Sequence, residues 1–209
     1  MEHLEQDTKE RILNAALDLF CINGYTTVSI RDIGKTVGIK ESSIYYHFKN
    51  KEDILQTIFQ QTEQWTEIHK NNFNDKLYLA TKVNCEQFIG AGITYILDYL
   101  LDERIYKFIR LLTIEKQRNK EAADMYHKLL FATPLEHQKN VFSIMMEKGY
   151  IKEDNSDALA AEYQSMILFV FLKYFSDPQA VVSEVKSAAK KELSTLLMRF
   201  FIHYFNEVK

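Results

Sequence analysis

Residues 24–52, GYTTVSIRDIGKTVGIKESSIYYHFKNKE, gather side chains whose chemistry suits base edges and phosphates better than bond making. Two short helical patterns meet at Gly38, the layout of a helix-turn-helix that lays its second helix in the DNA major groove. Such motifs read bases with side chains at the start of that helix, here Lys40, Glu41 and Ser42. A lysine donates to guanine O6 and N7, and a glutamate accepts from cytosine N4. Ser43, Tyr45, His47, Lys49 and Lys51 suit phosphates, because hydroxyls, a ring N–H and ammoniums hold register without reading sequence. Ser29 and the helix it opens offer backbone donors to a further phosphate, and Tyr46 falls on the outer side beside the sugar-phosphate chain. Plainer readings stand beside these: Tyr45 as a core aromatic with its hydroxyl at the rim, and Lys40 and Glu41 as solvated charges.

The elements that must position these groups are all helical. From Thr8 to about Asn23, apolar residues recur at Ile12, Ala15, Ala16, Leu19 and Ile22, one helical stripe with Thr8 as cap and Gly24 as left-handed end. Ser29 and Asp32 form a capping-box pair for a second helix that buries Ile30, Ile33 and Val37. Gly38 ends it, Ile39 plugs the core, and a third helix over 41–48 turns Ile44 and Phe48 inward. Asn50 caps a fourth helix running to about Asn71, and the polar stretch 72–84 reads as a junction. Further helices are expected at about 85–101, 103–117 and 120–131. Thr133-Pro134-Leu135-Glu136 is a restart signal for a helix ending at Gly149. Two last helices follow at about 157–175 and 178–206, the second introduced by Asp177-Pro178 and striped from Val181 and Val182 to Tyr204. The first of them is apolar on every face over 166–172, so it must be buried all round, either centrally in one chain or, more naturally, against the same pair from a second subunit.

An all-α class follows from two prolines, six glycines and the lack of strand-type alternation. The division expected is 1–52 for a helix-turn-helix DNA-binding domain and 53–209 for a helical ligand-binding and dimerisation domain. The net charge of −3 argues against nucleic acid, but it is unevenly spread. Residues 25–51 hold Arg31, Lys35, Lys40, Lys49 and Lys51 against Asp32 and Glu41, a local excess of three positive charges. Cys21 and Cys85 match no metal spacing, and a reducing cytoplasm fits them. Residues 1–11 do not read as a signal peptide, and no apolar run reaches the roughly 20 residues of a membrane helix.

Residues 8–55 resemble the N-terminal domain of the tetracycline-repressor (TetR) family of bacterial transcription regulators. The residues that carry the likeness are Ile12, Ala15, Ala16, Leu19, Phe20, Gly24, Tyr25, Ile33, Gly38, Ile39, Tyr45, His47, Phe48, Lys51 and Leu55. The resemblance implies three DNA-binding helices followed by about six more, and it places Arg31 where a side chain reaches a base edge. The guanidinium fork of Arg31 suits guanine. Three positions depart from the pattern: Gly34 stands where alanine is commoner, Lys40 where a serine usually caps, and Ser42 where glycine or proline is frequent. Gly34 should loosen the second helix.

By the same resemblance the protein is a repressor that binds a palindromic double-stranded DNA operator as a homodimer, joined through the last two helices. A small apolar or amphipathic effector would release it by changing the spacing of two heads that grip successive grooves. Candidate lining residues are Phe88, Tyr95, Phe108, Leu112, Phe131, Phe142, Met145, Met146, Tyr163 and Met166, with plain core packing as the rival account of each. A regulator of the same fold without an effector, acting through DNA occupancy or a protein partner, is the alternative. An enzyme is not expected: there is no HExxH, no phosphate-binding glycine loop and no nucleophile motif. No cofactor or metal is implied, and Asp124-x-x-His127 is the nearest approach to a metal-binding pair.

Overall fold

The computed structural model describes residues 2–79, 85–100, 102–175 and 183–205. Ten α-helices are placed among them: α1 Glu2–Asn23, α2 Ile30–Val37, α3 Glu41–His47, α4 Lys51–Leu79, α5 Cys85–Leu100, α6 Glu103–Glu115, α7 Lys120–His127, α8 Thr133–Glu147, α9 Ser156–Phe175 and α10 Ser183–Tyr204. They divide into two compact units, Met1–Lys76 with Asp102–Ala123, and Leu77–Leu101 with Asp124–Lys209. This packing division differs from the functional division expected at residue 52, because most of α4 and all of α6 pack with the first three helices.

In the first unit α1 is the central element, packed on α2 and on α6. It therefore buries more than one stripe: Ile12, Leu13, Ala16, Leu17, Phe20 and Cys21 are all inside. Ile22, expected on the stripe, is exposed, while Phe20 and Cys21 beside it are buried. Thr8 lies inside α1 and does not cap it. Ile105, Phe108, Ile109 and Leu112 of α6 face this core, and each such side chain contributes roughly 1.5–3 kcal/mol on burial. Arg104 to Glu10 and Lys107 to Asp18 bridge α6 and α1, but exposed ion pairs are worth only about 0–1 kcal/mol, so the apolar contacts decide.

Three helix ends formed as expected. Ser29 Oγ accepts from Asp32 N–H at 3.2 Å while Asp32 Oδ2 accepts from Ser29 N–H at 2.8 Å, a reciprocal capping box. Gly38 ends α2 with φ 78°, and its N–H donates to Gly34 O at 2.9 Å. Asn50 Oδ1 accepts from Asp53 N–H at 2.8 Å to open α4. Ile33 is buried in α2 as expected, whereas Ile30, Val37 and the plug Ile39 are half-buried. Gly34 is buried instead: a Cβ there would lie 3.0 Å from Ile39 O, so the missing methyl lets α2 approach the turn closely.

Two expectations about boundaries were wrong. The polar stretch from Asn72 does not interrupt α4, which runs to Leu79; it contains neither Gly nor Pro, and polarity alone does not break a helix. Thr133 caps nothing. Residues Lys128–Ala132 form a π turn that joins α7 to α8, with Thr133 N–H donating to Lys128 O. Pro134 has no N–H for the carbonyl four residues back, and the wider turn absorbs that loss.

In the second unit α8 and α10 both pack on α9, and α10 also packs on α5. The core there is aromatic, with Phe142, Tyr163 and Phe200 in mutual contact at centroid distances of 5.6–5.7 Å. Expectations for Asp177-Pro178, Val181, Val182 and the Phe88 side chain lie outside the described residues.

Gly24 and Gly38 make a testable pair, since both sit at φ 78° but only Gly24 is crowded, by Glu115 Oε1 at 3.2 Å and Ile114 Cγ2 at 3.3 Å. Gly38→Ala is expected to cost about 1 kcal/mol from backbone strain, and Gly24→Ala about 2–3 kcal/mol because crowding adds to it. Equal losses in urea denaturation would sink the steric part of that account.

Candidate nucleic-acid interface

The backbone around α2 and α3 is held by side chains from α1, α4 and α6. Glu115, at the C-terminal end of α6, is only 4 % exposed, and its Oε1 accepts the Tyr25 N–H at 2.9 Å. Arg118 Nε stands 3.7 Å from the other oxygen. Lys51, at the start of α4, donates to Tyr25 O at 2.8 Å and to Val28 O at 2.7 Å, with its ammonium 4.2 Å from the Tyr25 ring centroid. Burial lowers the Lys51 pKa, opposed by the charges of Glu115 and Glu52. The Tyr25 hydroxyl donates to Glu52 at 2.7 Å, and burial with that bond raises its pKa. Arg11 reaches across from α1 to Val37 O at 2.8 Å.

On this base α3 presents its residues by position. Ile44 and Phe48 point into the core, so the opposite side of a two-turn helix must face outward. Lys40, Glu41 and Ser42 are exposed at its start, and Lys40 forms the cap position with no side-chain cap bond. Arg31 is exposed on the first turn of α2, and it shares with those three the lack of any side-chain hydrogen bond or ion pair among the described residues. Tyr45 and Tyr46 are exposed large aromatics, with the Tyr46 ring edge-on to His47 at 5.0 Å. Ser43 and His47 are half-buried and Lys49 is exposed. The structure thus brings Arg31, Lys40–Ser43, Tyr45–His47 and Lys49 to two short adjacent helices and the turn after them.

Two of the expected contacts change character. Ser29 cannot give its own N–H or hydroxyl to a phosphate, because Asp32 Oδ2 takes both, at 2.8 and 2.6 Å. These bonds to Ser29 hold the Asp32 carboxyl below its usual range. The N–H groups of Ile30 and Arg31 are the donors left at that helix start. Lys51 has three N–H groups and two are held by carbonyls, so it is first a lock on the turn, with one donor left for a phosphate. Sequence reasoning missed Glu115, which reads as one more acidic residue at a polar helix end.

The candidate effector residues are drawn from both units. Phe108 and Leu112 belong to the first unit, where Phe108 packs edge-on against Phe59 at 5.3 Å. Phe142, Met145 and Tyr163 are buried in the second unit, where Tyr95, Phe131, Met146 and Met166 are half-buried. Phe131 stacks on His127, and Met146 Sδ accepts from Asp154 N–H. Phe200, Gln138 and Gln164, absent from the expected set, lie among the buried residues.

A buttressed helix-turn-helix at the N-terminal end is the layout of a DNA-binding domain. Residues 12–58 match the family model described as bacterial regulatory proteins, tetR family. The chain is 24 % identical over 179 residues to the biofilm operon icaADBC HTH-type negative transcriptional regulator IcaR of Staphylococcus aureus, covering 77 % of this chain and 92 % of that protein. Among solved structures, a TetR transcriptional regulator from Chloroflexus aurantiacus superposes with a TM-score of 0.69 at 18 % identity, covering 98 % of this chain and 100 % of that one. SmeT of Stenotrophomonas maltophilia in complex with triclosan gives 0.67 at 18 % identity, covering 96 % and 93 %. These solved structures share the fold, and the relatives are regulators, not enzymes. Among the described residues no helix is long and apolar enough to cross a membrane.

Lys51→Met keeps the hydrocarbon stem and removes both bonds to the turn. It is expected to lower stability by about 1–3 kcal/mol without DNA present. Denaturation curves that overlay those of the native protein would return Lys51 to a phosphate contact alone.

Proposed function

We propose that the chain is a repressor that grips a palindromic operator as a homodimer and is released by a small apolar or amphipathic effector. The observation that carries the DNA part is the exposed quartet Arg31, Lys40, Glu41 and Ser42, set on backbone that Glu115 and Lys51 hold from beneath. Side chains with no internal partner on a rigid support are what base reading requires. Tyr45, Tyr46, Ser43, His47 and Lys49 flank them as phosphate contacts, with the Ile30 and Arg31 N–H groups at the start of α2. Negative regulation is supported by IcaR, and a small-molecule effector by SmeT, which carries triclosan in the same fold.

Dimerisation is supported by what α9 and α10 leave uncovered. Ile167, Val170 and Phe171 are buried in the chain itself, but Phe169 is 53 % and Ile202 69 % exposed, with Leu172 and Met198 exposed as well. Four large apolar side chains on two neighbouring helices are a patch that a second copy would cover. Lys173 bonds Glu192 at 2.7 Å and ties the two helices together at that patch.

Selection of bound duplexes from a random pool is expected to enrich a palindrome, and Tyr45→Ala with His47→Ala to abolish the enrichment. Arg31→Ala should cost roughly 1–3 kcal/mol on the selected site and relax one base position. A uniform loss across all sequences would show that Arg31 does not read a base. Phe169→Glu combined with Ile202→Glu should give a monomer in sedimentation and weaken operator binding on the order of a hundredfold, since the two half-sites are then bound separately. A dimer that survives both charges would place the interface elsewhere.

A further inference from the structure

The second unit has few buried polar side chains, and they are connected. Among its described residues Gln138, 7 % exposed, and Gln164, 5 % exposed, are the buried polar ones, and none is charged. Their hydrogen bonds start from the π turn. Pro134 leaves the Leu130 carbonyl without its usual helical partner, and Gln164 Nε2 donates to it at 2.7 Å. Gln164 Oε1 then accepts from Gln138 Nε2, also at 2.7 Å. The carbonyl at one end fixes both amide orientations: Gln164 must turn its nitrogen to Leu130, so Gln138 must turn its nitrogen to Gln164. What remains at the other end is Gln138 Oε1, a buried acceptor with no donor among the described residues.

A relay that terminates in a buried lone acceptor is costly unless something donates to it. Aromatic residues neighbour the two glutamines along α8 and α9. Phe142 lies one turn along α8 from Gln138, Tyr163 precedes Gln164 on α9, and the two rings meet edge-on at 5.6 Å with Phe200 against both. Apolar and aromatic walls with one oriented polar group are how small-molecule sites fix a ligand. The π turn adds to this, since such insertions recur at functional sites.

We infer that Gln138 Oε1 is the polar anchor of the effector, and that the effector is a neutral, largely aromatic or apolar molecule carrying one O–H or N–H donor. The inference rests on the reading that the C-terminal helices hold an effector, and it names the chemistry of that site. A carboxylate would meet the acceptor oxygen with like charge, and an ammonium would enter without a counter-charge. A molecule lacking a donor would leave the acceptor as it stands.

The test uses the full-length protein and a matched pair, 2-naphthol and 2-methoxynaphthalene, which differ in the donor alone. Calorimetry is expected to show the naphthol binding about tenfold more tightly than its ether, the worth of one buried hydrogen bond. Gln138→Met should remove that preference. In the native protein with glutamine side chains labelled by nitrogen-15, the Gln138 amide signals should shift with the naphthol and not with the ether; this readout decides the matter if the variant does not fold. Equal affinities, a preference that survives Gln138→Met, or unmoved Gln138 signals overturn the anchor and leave the effector reading standing. Binding of neither compound also overturns it. If operator affinity is then the same before and after refolding that strips small molecules, the effector reading falls too.

Discussion

Glu115 holds a carboxylate at 4 % exposure beneath the turn between α1 and α2, where the Tyr25 N–H donates to it at 2.9 Å. A buried charge costs several kcal/mol if left unpaired, so the turn cannot drift from Glu115 without penalty. Gly24 is required at this spot twice over, by its φ of 78° and by the 3.2 Å that a Cβ would leave to the same oxygen. From this fixed point the order of the head follows. Lys51 closes the far side of the turn through Tyr25 O and Val28 O, Ser29 starts α2 directly after it, and Gly38 sets the angle at which α3 leaves. The apolar core supplies most of the stability, and these polar bonds supply the geometry.

Much of this was readable in the residues. Ser29 with Asp32, Gly24, Gly38 and Asn50 act through bonds to their own neighbours, so spacing alone reveals them. Ile44 and Phe48 declare themselves by helical period. Glu115 was not readable, because its partner lies ninety positions away in the chain and nothing local separates it from a solvated glutamate. The locking role of Lys51 was hidden for the same reason: a lysine in a basic stretch beside DNA-facing residues reads as a phosphate contact alone until two distant carbonyls are found holding it. The proline at 134 was read correctly as a local event but with the wrong outcome. A restart with a cap and a widened turn with no cap both accommodate the missing N–H, and the widened turn found here has its Leu130 carbonyl bonded by Gln164 from another helix.

The second unit differs in how its sequence encodes structure. Helix α9 looked apolar on every face, and the chain by itself buries only part of it. Ile167, Val170 and Phe171 are inside, while Phe169 and Leu172 remain outside. An excess of apolar residues over what one chain can cover is a statement about assembly as much as about fold. Gln138 and Gln164 are the opposite case: two polar residues on otherwise apolar faces that periodicity would dismiss as errors of register.

The start of α3 carries no structural burden, and this has an evolutionary consequence. Lys40 makes no cap bond, and Lys40, Glu41 and Ser42 are exposed, whereas Ile44 and Phe48 are locked in the core. Substitutions at exposed, unbonded positions typically change stability by no more than about 0.5 kcal/mol. The scaffold can therefore exchange these three side chains without first acquiring compensating mutations. Binding preference can diverge between duplicated copies of such a gene faster than their cores do, and a new target site lies a few neutral steps from the old one.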